Sequence, residues 1–327
     1  MTSPDLDSLL PRLQQLRDAL AQAVVGQHEV VEQLLIGLLA GGHCLLEGAP
    51  GLGKTLLVRS LGQALELQFR RVQFTPDLMP SDILGTELLE EDHGTGHRHF
   101  RFQKGPIFTN LLLADELNRT PPKTQAALLE AMQERTVSYA GTTYTLPQPF
   151  FVLATQNPIE QAGTYPLPEA QLDRFLLHVR VDYPSEQEEQ DILRQTTGSS
   201  SGSVPKVMDA EAVIALQDAV RQVHVSDDVL AWITRLVRAS RPGVAAPAAV
   251  NQWIKWGAGP RAGQSLVLAA KARALLQGRF AATRDDVQAL AAPVMRHRLL
   301  LSFAAEAEGK GADDVVAALL QAVPFPG

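Results

Sequence analysis

Cysteine is nearly missing from this sequence. Cys44 is the only one in 327 residues, so no internal disulfide can staple the chain, and a reducing compartment is implied. It lies in an apolar, strand-like run and reads as a small buried hydrophobe rather than a reactive thiol. Long apolar runs are lacking too: none approaches the ~20 residues that span a bilayer, which excludes membrane insertion. The opening "MTSPDLDSLLPRLQQLRDAL" carries acids where a secretory leader has basic residues, so it reads as a helix. Basic charge is in deficit, with 29 Lys and Arg against 36 Asp and Glu and a net charge of -7. That balance argues against a polyanionic partner, although a local basic face stays compatible with it. A cytoplasmic protein is expected.

What is present is ordinary globular material, 45% hydrophobic and 20% charged. The length suits about two domains of ~150 residues each. Leu6, Leu9, Leu10, Leu13, Leu16 and Leu20 recur at helical spacing and predict one buried face. From Gly42 onward strands and helices alternate: "HCLLEG", "KTLLVRSLGQAL", "FRRVQF", "LLLAD", "KTQAALLEAMQE", "FFVLAT" and "LLHVRV". Such alternation predicts a mostly parallel sheet covered on both faces. Two polar hairpins interrupt it, one turning at Gly94-Thr95-Gly96 and one at Ala140-Gly141. After Tyr183-Pro184, and beyond a Ser/Gly-rich stretch, every periodic segment from Asp209 on reads as helical. Ser226 and Thr283 are expected N-caps. The expected architecture is an α/β domain over residues 1–182 followed by an all-helical domain over 183–327.

"GAPGLGKT", from Gly48 to Thr55, has the G-x-x-x-x-G-K-[ST] spacing of a phosphate loop, with a strand before it and a helix after it. The loop Gly48, Ala49, Pro50, Gly51, Leu52, Gly53 and the first helical residues, Lys54 to Leu56, would bind the nucleotide, with the backbone N–H groups of its non-proline residues cradling phosphates at a helix N-terminus. Lys54 would reach the β- and γ-phosphates, and Thr55 would ligate Mg²⁺. "LLLADE" is a buried strand that delivers Asp115 to the Mg²⁺ shell and Glu116 to the attacking water. An adjacent acid pair supplies its own base, which points to ATP hydrolysis.

Asn157 follows the apolar strand "FFVLAT" and should reach the same strand-end edge as Gly48 and Asp115. There an amide orients the lytic water or touches the γ-phosphate. An asparagine before Pro158 also caps turns. Arg174 immediately precedes "LLHVRV", so it lies toward the opposite edge from its own phosphates. It either forms a surface salt bridge or acts in trans on a neighbour's γ-phosphate.

Together, "VVGQ", "GAPGLGKT", "FTPDLMPSDILG", "GPIFTNLLLADELNRTPPKTQAALLEAMQE", "ATQNPIEQAGTYPLPEAQLDRF" and "GPRA" resemble the MoxR group of AAA+ ATPases over nearly the whole chain. The resemblance implies a five-stranded P-loop core with a small helical lid. It makes Asn157 the sensor-1 residue, Arg174 the arginine finger, and Arg261 the sensor-2 arginine reaching back onto the γ-phosphate. Val25 and Gly26 would border the adenine. The first hairpin is similar to the helix-2 insert, and both hairpins would face a pore or a partner. Leu117 and Gly259 depart mildly from the commoner pattern. The resemblance also implies a homo-oligomeric, hexameric ring that spends ATP on activating client proteins or inserting their cofactors, with von Willebrand factor A-domain proteins as partners.

A nucleic-acid motor is the competing reading, because DNA-remodelling ATPases share this core. The first hairpin carries Arg98, Phe100, Arg101 and Lys104, which suit phosphates and bases, beside Glu90, Glu91 and Asp92, which repel them. With the net negative charge, protein remodelling is the expectation. His93, His97 and His99 match no standard ligand spacing and read as a solvated tip. Trp253 and Trp256 are expected on one helical face, as lid core or an inter-subunit contact.

Overall fold

The structure, a computed structural model, describes residues 6–24, 26–49, 51–91, 98–157, 163–196, 204–244 and 246–325. Helices α1 (Leu6–Ala23) and α2 (His28–Leu39) lead into strand β1 (Cys44–Gly48), helix α3 (Lys54–Ala64) and strand β2 (Phe69–Gln73). A short helix α4 (Pro80–Leu84) and a hairpin of β3 (Gly85–Glu91) and β4 (Arg98–Lys104) follow. Next come β5 (Leu111–Asp115), α5 (Pro122–Glu134) and a second hairpin, β6 (Thr136–Tyr139) and β7 (Thr142–Thr145). The core closes with β8 (Phe151–Gln156), α6 (Glu169–Leu172) and β9 (Leu177–Val181). Beyond it run α7 (Glu186–Thr196), α8 (Ala210–Gln222), α9 (Asp227–Ala239), α10 (Ala248–Trp253), α11 (Pro260–Leu276), α12 (Arg284–Met295), α13 (Phe303–Ala307) and α14 (Ala312–Ala322).

The central sheet is parallel, in the order β2-β5-β8-β1-β9. Its middle strands are apolar at consecutive positions because both faces are covered. Leu46, Leu111, Leu113 and Leu153 point into one core with α1, α2 and α3. Their neighbours Leu45, Leu112, Val152 and Ala154 point into the other, against α5. The first core continues into the lid through Trp232, Leu266, Leu275 and Leu290. Lid and sheet are therefore welded by one apolar interior rather than joined by a bare linker. Segment 204–222 helps: Val207 N donates to Ala64 O at 2.8 Å, and Gln217 Nε2 donates to Leu38 O at 2.7 Å.

Several sequence expectations hold at atomic detail. Leu9, Leu13, Leu16 and Leu20 are buried on one face of α1. Cys44 is fully buried, and desolvation pushes its thiol pKa upward. Ser226 Oγ accepts from Val229 N, and Thr283 with Asp286 forms a capping box. Ala140 and Gly141 both have positive φ, as a tight two-residue hairpin turn requires. The Gly94–Gly96 tip lies outside the described residues. The two hairpins are joined by aromatic stacking, with Phe102 4.5 Å from Tyr144 and 5.1 Å from Tyr139.

The lid is not wholly helical. His224–Val225 pairs with Ala281–Ala282, and Ile254–Trp256 pairs with Leu300–Leu301. The second ladder corrects the expectation for the tryptophans. Helix α10 ends at Trp253, and Trp256 stands on an extended segment, 74% exposed. The cause is Gly257, where an added Cβ would sit 2.3 Å from the backbone oxygen of Ser240. That close backbone approach draws the chain out of the helix.

Candidate functional site

The sheet register gathers the catalytic candidates. Gly48 pairs with Val181, Glu47 with Gln156, and Gln73 with Asp115, so all these strands end at one edge. A cavity of about 410 Å³ opens there, lined by the phosphate loop together with Asp115, Glu116 and Asn157. The glycines serve different needs. Gly51 and Gly53 hold positive φ with nothing within 4 Å of a built Cβ, so conformation selects them. At Gly48 an added Cβ would lie 2.5 Å from Val181 O, so close packing of β1 on β9 selects that one. Leu52 is anchored from behind, where its carbonyl accepts from Gln27 Nε2 at 2.8 Å.

Lys54 starts α3 and donates from Nζ to Gly48 O. Burial lowers its pKa, while Asp115, Glu116 and Glu47 oppose that shift. Thr55 and Asp115 both line the cavity. Hydroxyl and carboxylate oxygens are the hard donors that Mg²⁺ takes, so this pair fits the ion. Asp115 is held on both sides: Thr155 Oγ1 donates to Oδ1 at 2.6 Å, and Arg71 Nη2 donates to Oδ2 at 2.6 Å. Glu116 has a left-handed backbone, φ 57°, an uncommon conformation for a residue with a side chain. The backbone stays there because Glu116 N donates to Thr155 Oγ1 at 2.8 Å. Its carboxylate accepts from Gln73 Nε2 at 2.7 Å and Arg119 Nη1 at 2.9 Å. Thr155 thus holds both acids with one hydroxyl.

Arg71, Gln73, Arg119 and Thr155 were not singled out in the sequence. The available signal was the i, i+2 spacing of Arg71 and Gln73 in "FRRVQF", which puts both on one face of β2. Asn157 is buried at the cavity wall as expected. Val25 and Pro50 lie outside the described residues. Gly26, expected beside the adenine, has Glu188 directly against it: a Cβ there would be 2.6 Å from Glu188 Cδ. Leu56 is half exposed on α3.

The two arginines lie elsewhere. Arg174 sits in the turn leading to β9, at the far edge from the phosphate loop, and its side chain has no ion pair among the described residues. Arg261, expected to reach back onto its own γ-phosphate site, instead has Nη1 3.5 Å from Asp173 Oδ2. It is absent from the cavity lining. The five residues of β9 separate the edges by about 13 Å at 3.3 Å per residue, so Arg261 joins Arg174 and not the loop of its own chain. The physical cause is the shared lid core and buried Arg298, whose Nε donates to Asp173 Oδ1 at 2.7 Å. Of the first hairpin's histidines, His93 and His97 lie outside the described residues, and His99 faces Glu90 at 3.8 Å.

Residues 43–177 match the model of the ATPase family associated with various cellular activities (AAA), and residues 247–319 match an AAA lid domain. The chain is 42% identical over 304 residues to Chaperone MoxR1 of Mycobacterium tuberculosis, covering 93% of this chain and 79% of that one. It is 34% identical over 312 residues to Protein MoxR of Paracoccus denitrificans, covering 90% of each. The crystal structure of a candidate ATPase from Cytophaga hutchinsonii superposes with a TM-score of 0.90 at 39% identity, covering 98% of this chain and 97% of that one. Among the described residues, no helix is long and apolar enough to cross a membrane.

Proposed function

Because the chain belongs to the MoxR family of AAA+ ATPases, we propose that it works as an oligomeric, chaperone-like ATPase in which each subunit completes its neighbour's site. Residues 1–182 form the nucleotide-binding core and 183–327 the lid. The observation that carries the reading is the split of the machinery. Lys54, Asp115, Glu116 and Asn157 share one cavity, while Arg174 and Arg261 stand together at the opposite edge.

ATP binds with its phosphates on the loop N–H groups and Lys54. Thr55 and Asp115 would hold Mg²⁺, which would supply charge neutralisation to the phosphates when bound. Glu116 takes a proton from the attacking water, and Gln73 and Arg119 fix the direction of its carboxylate. Asn157 positions that water or contacts the γ-phosphate. Arg174 and Arg261 of one subunit stabilise the charge that develops on the phosphate bound by the next. Head-to-tail contacts whose rotation closes generate a ring, and a hexamer is the ring that the MoxR resemblance implies. The work is done on a client protein, presented by the hairpins or by a von Willebrand factor A-domain partner.

The nucleic-acid reading is weaker on the observed hairpin. Arg98 is paired with Glu91 at 3.0 Å and Arg101 with Glu90 at 3.1 Å, so its guanidinium charges are met within the hairpin. The test is a subunit-mixing assay. Lys54→Ala and Arg174→Ala are each expected to lose at least tenfold in ATP turnover, and an equimolar mixture should recover activity. Specific activity of the wild type should rise with protein concentration. If activity is independent of concentration and Arg174→Ala hydrolyses normally, the trans site does not exist.

A further inference from the structure

We propose that Arg298 and Asp173 form a clasp that positions Arg174 and Arg261 for the neighbouring subunit's site, which makes Arg298 a positioning residue of the ATPase reaction. The proposal rests on the trans reading above. Its basis is the way one buried guanidinium is used. Arg298 lies in the 3₁₀ turn that follows α12, and its side chain is only 2% exposed. All five of its N–H groups have acceptors, the full capacity of an arginine. Nε donates to Asp173 Oδ1 at 2.7 Å, and Nη2 reaches Phe175 O at 2.7 Å, Asp173 O at 3.2 Å and Ser265 Oγ at 3.2 Å. Nη1 donates to Leu176 O at 3.3 Å and to Val294 O.

These acceptors come from three separate places. Asp173, Phe175 and Leu176 belong to the turn that carries Arg174, Ser265 to α11, and Val294 to α12. Ser265 and Arg261 are four residues apart on α11 and share a face. Fixing Ser265 therefore fixes the rotation of α11 that turns Arg261 toward Asp173. The carboxylate of Asp173 is shared: Oδ1 takes Arg298 and Oδ2 faces Arg261 at 3.5 Å. Arg174, the next residue, has no carboxylate partner among the described residues. His297 adds a second tie, with Nε2 3.0 Å from Phe175 O. A lysine at position 298 would keep the charge but offer three donors from one point, without the planar fork that spans these places.

The experiment extends the mixing assay to Asp173→Asn and Arg298→Lys. Each is expected to reduce kcat at least fivefold with KM for ATP within twofold, because neither touches the cavity of its own chain. Mixed in equal amounts with Lys54→Ala, each should recover at least threefold in activity, since Lys54→Ala subunits retain an intact clasp. Arg174→Ala mixed with Lys54→Ala is the control. If the control recovers but Asp173→Asn does not, or if Asp173→Asn turns over like the wild type, the clasp is overturned and the trans site stands. If the control itself fails, the trans site falls and the clasp with it. Should Arg298→Lys prevent folding, Asp173→Asn decides alone, because asparagine nearly matches aspartate in size and removes the one carboxylate charge that both Arg298 and Arg261 face.

Discussion

His43 offers a quantitative test of how the sheet is held. It precedes β1, is fully enclosed, and bridges two elements: Val152 N donates to Nδ1 at 3.0 Å, and Nε2 faces Met132 O at 3.1 Å. Accepting at Nδ1 and donating at Nε2 requires the neutral ring. Burial lowers its pKa from 6.5 to about 4, with the Met132 carbonyl opposing and Arg135 assisting. The Val152 bond acts in the same direction as burial, since a protonated Nδ1 would meet an N–H.

A folded-state pKa below the unfolded value means that the unfolded chain takes up the proton first. The stability from a neutral His43 is therefore complete above pH 6.5 and is lost as pH falls toward about 4. At 1.36 kcal/mol per tenfold, the loss between neutrality and about pH 5 is roughly 2 kcal/mol. The assay is urea unfolding of the wild type and His43→Gln near pH 7.5 and near pH 5. Other groups titrate equally in both proteins, so only the difference between them matters, and that difference should shrink by about 2 kcal/mol. The same difference at both pH values would show that His43 is not held neutral, and the two-bond account would fail.

Two further perturbations address the phosphate edge. Thr155→Val keeps the shape but strands Glu116 N and removes the donor to Asp115, so it should cost about 1–3 kcal/mol in urea unfolding. ATP turnover should fall with it, and unchanged turnover would refute the shared-hydroxyl account. Gly48→Ala places a methyl against Val181 O at 2.5 Å, and its melting temperature should drop by several degrees before nucleotide is added. Gly51→Ala has open space and costs only its backbone strain, on the order of 1 kcal/mol; equal melting temperatures for the two variants would contradict the packing role of Gly48.

The fold was legible wherever one local pattern sufficed. "GAPGLGKT" between a strand and a helix, and the fully apolar "LLLAD", announce their places because phosphate cradling and two-sided burial each demand a particular run of residue types. The resemblance to MoxR proteins, and with it the ATPase activity and the lid, is borne out by the relatives and family models. What was not legible depends on which strands are neighbours. Gln73 and Thr155 matter because β2 and β8 flank β5, and a polar residue on a strand gives no sign of that by itself. Trp256 was misjudged because the helical spacing of "NQWIKWGAG" cannot register a backbone contact between Gly257 and Ser240. Arg298 hid for a similar reason: in "MRHRLL" it looks like a basic residue favouring a helix C-terminus, a place where arginines need no further cause.

The position of Arg261 follows from that hidden arginine, and it decides how much of a site one chain can hold. A sensor arginine on a loosely hinged lid is free to swing onto its own phosphate. Here the lid shares the apolar interior of the sheet, and Arg298 ties it to the start of β9 with every donor engaged. To bring Arg261 to its own loop, the lid would have to leave that core and strip a buried guanidinium of its acceptors, a cost of several kcal/mol for the unpaired charge alone. Rotating a neighbouring subunit's loop up to the exposed edge costs neither. With the lid fixed in this way, the proposed trans site needs a second subunit's loop at this edge, and ATP turnover is expected to depend on assembly.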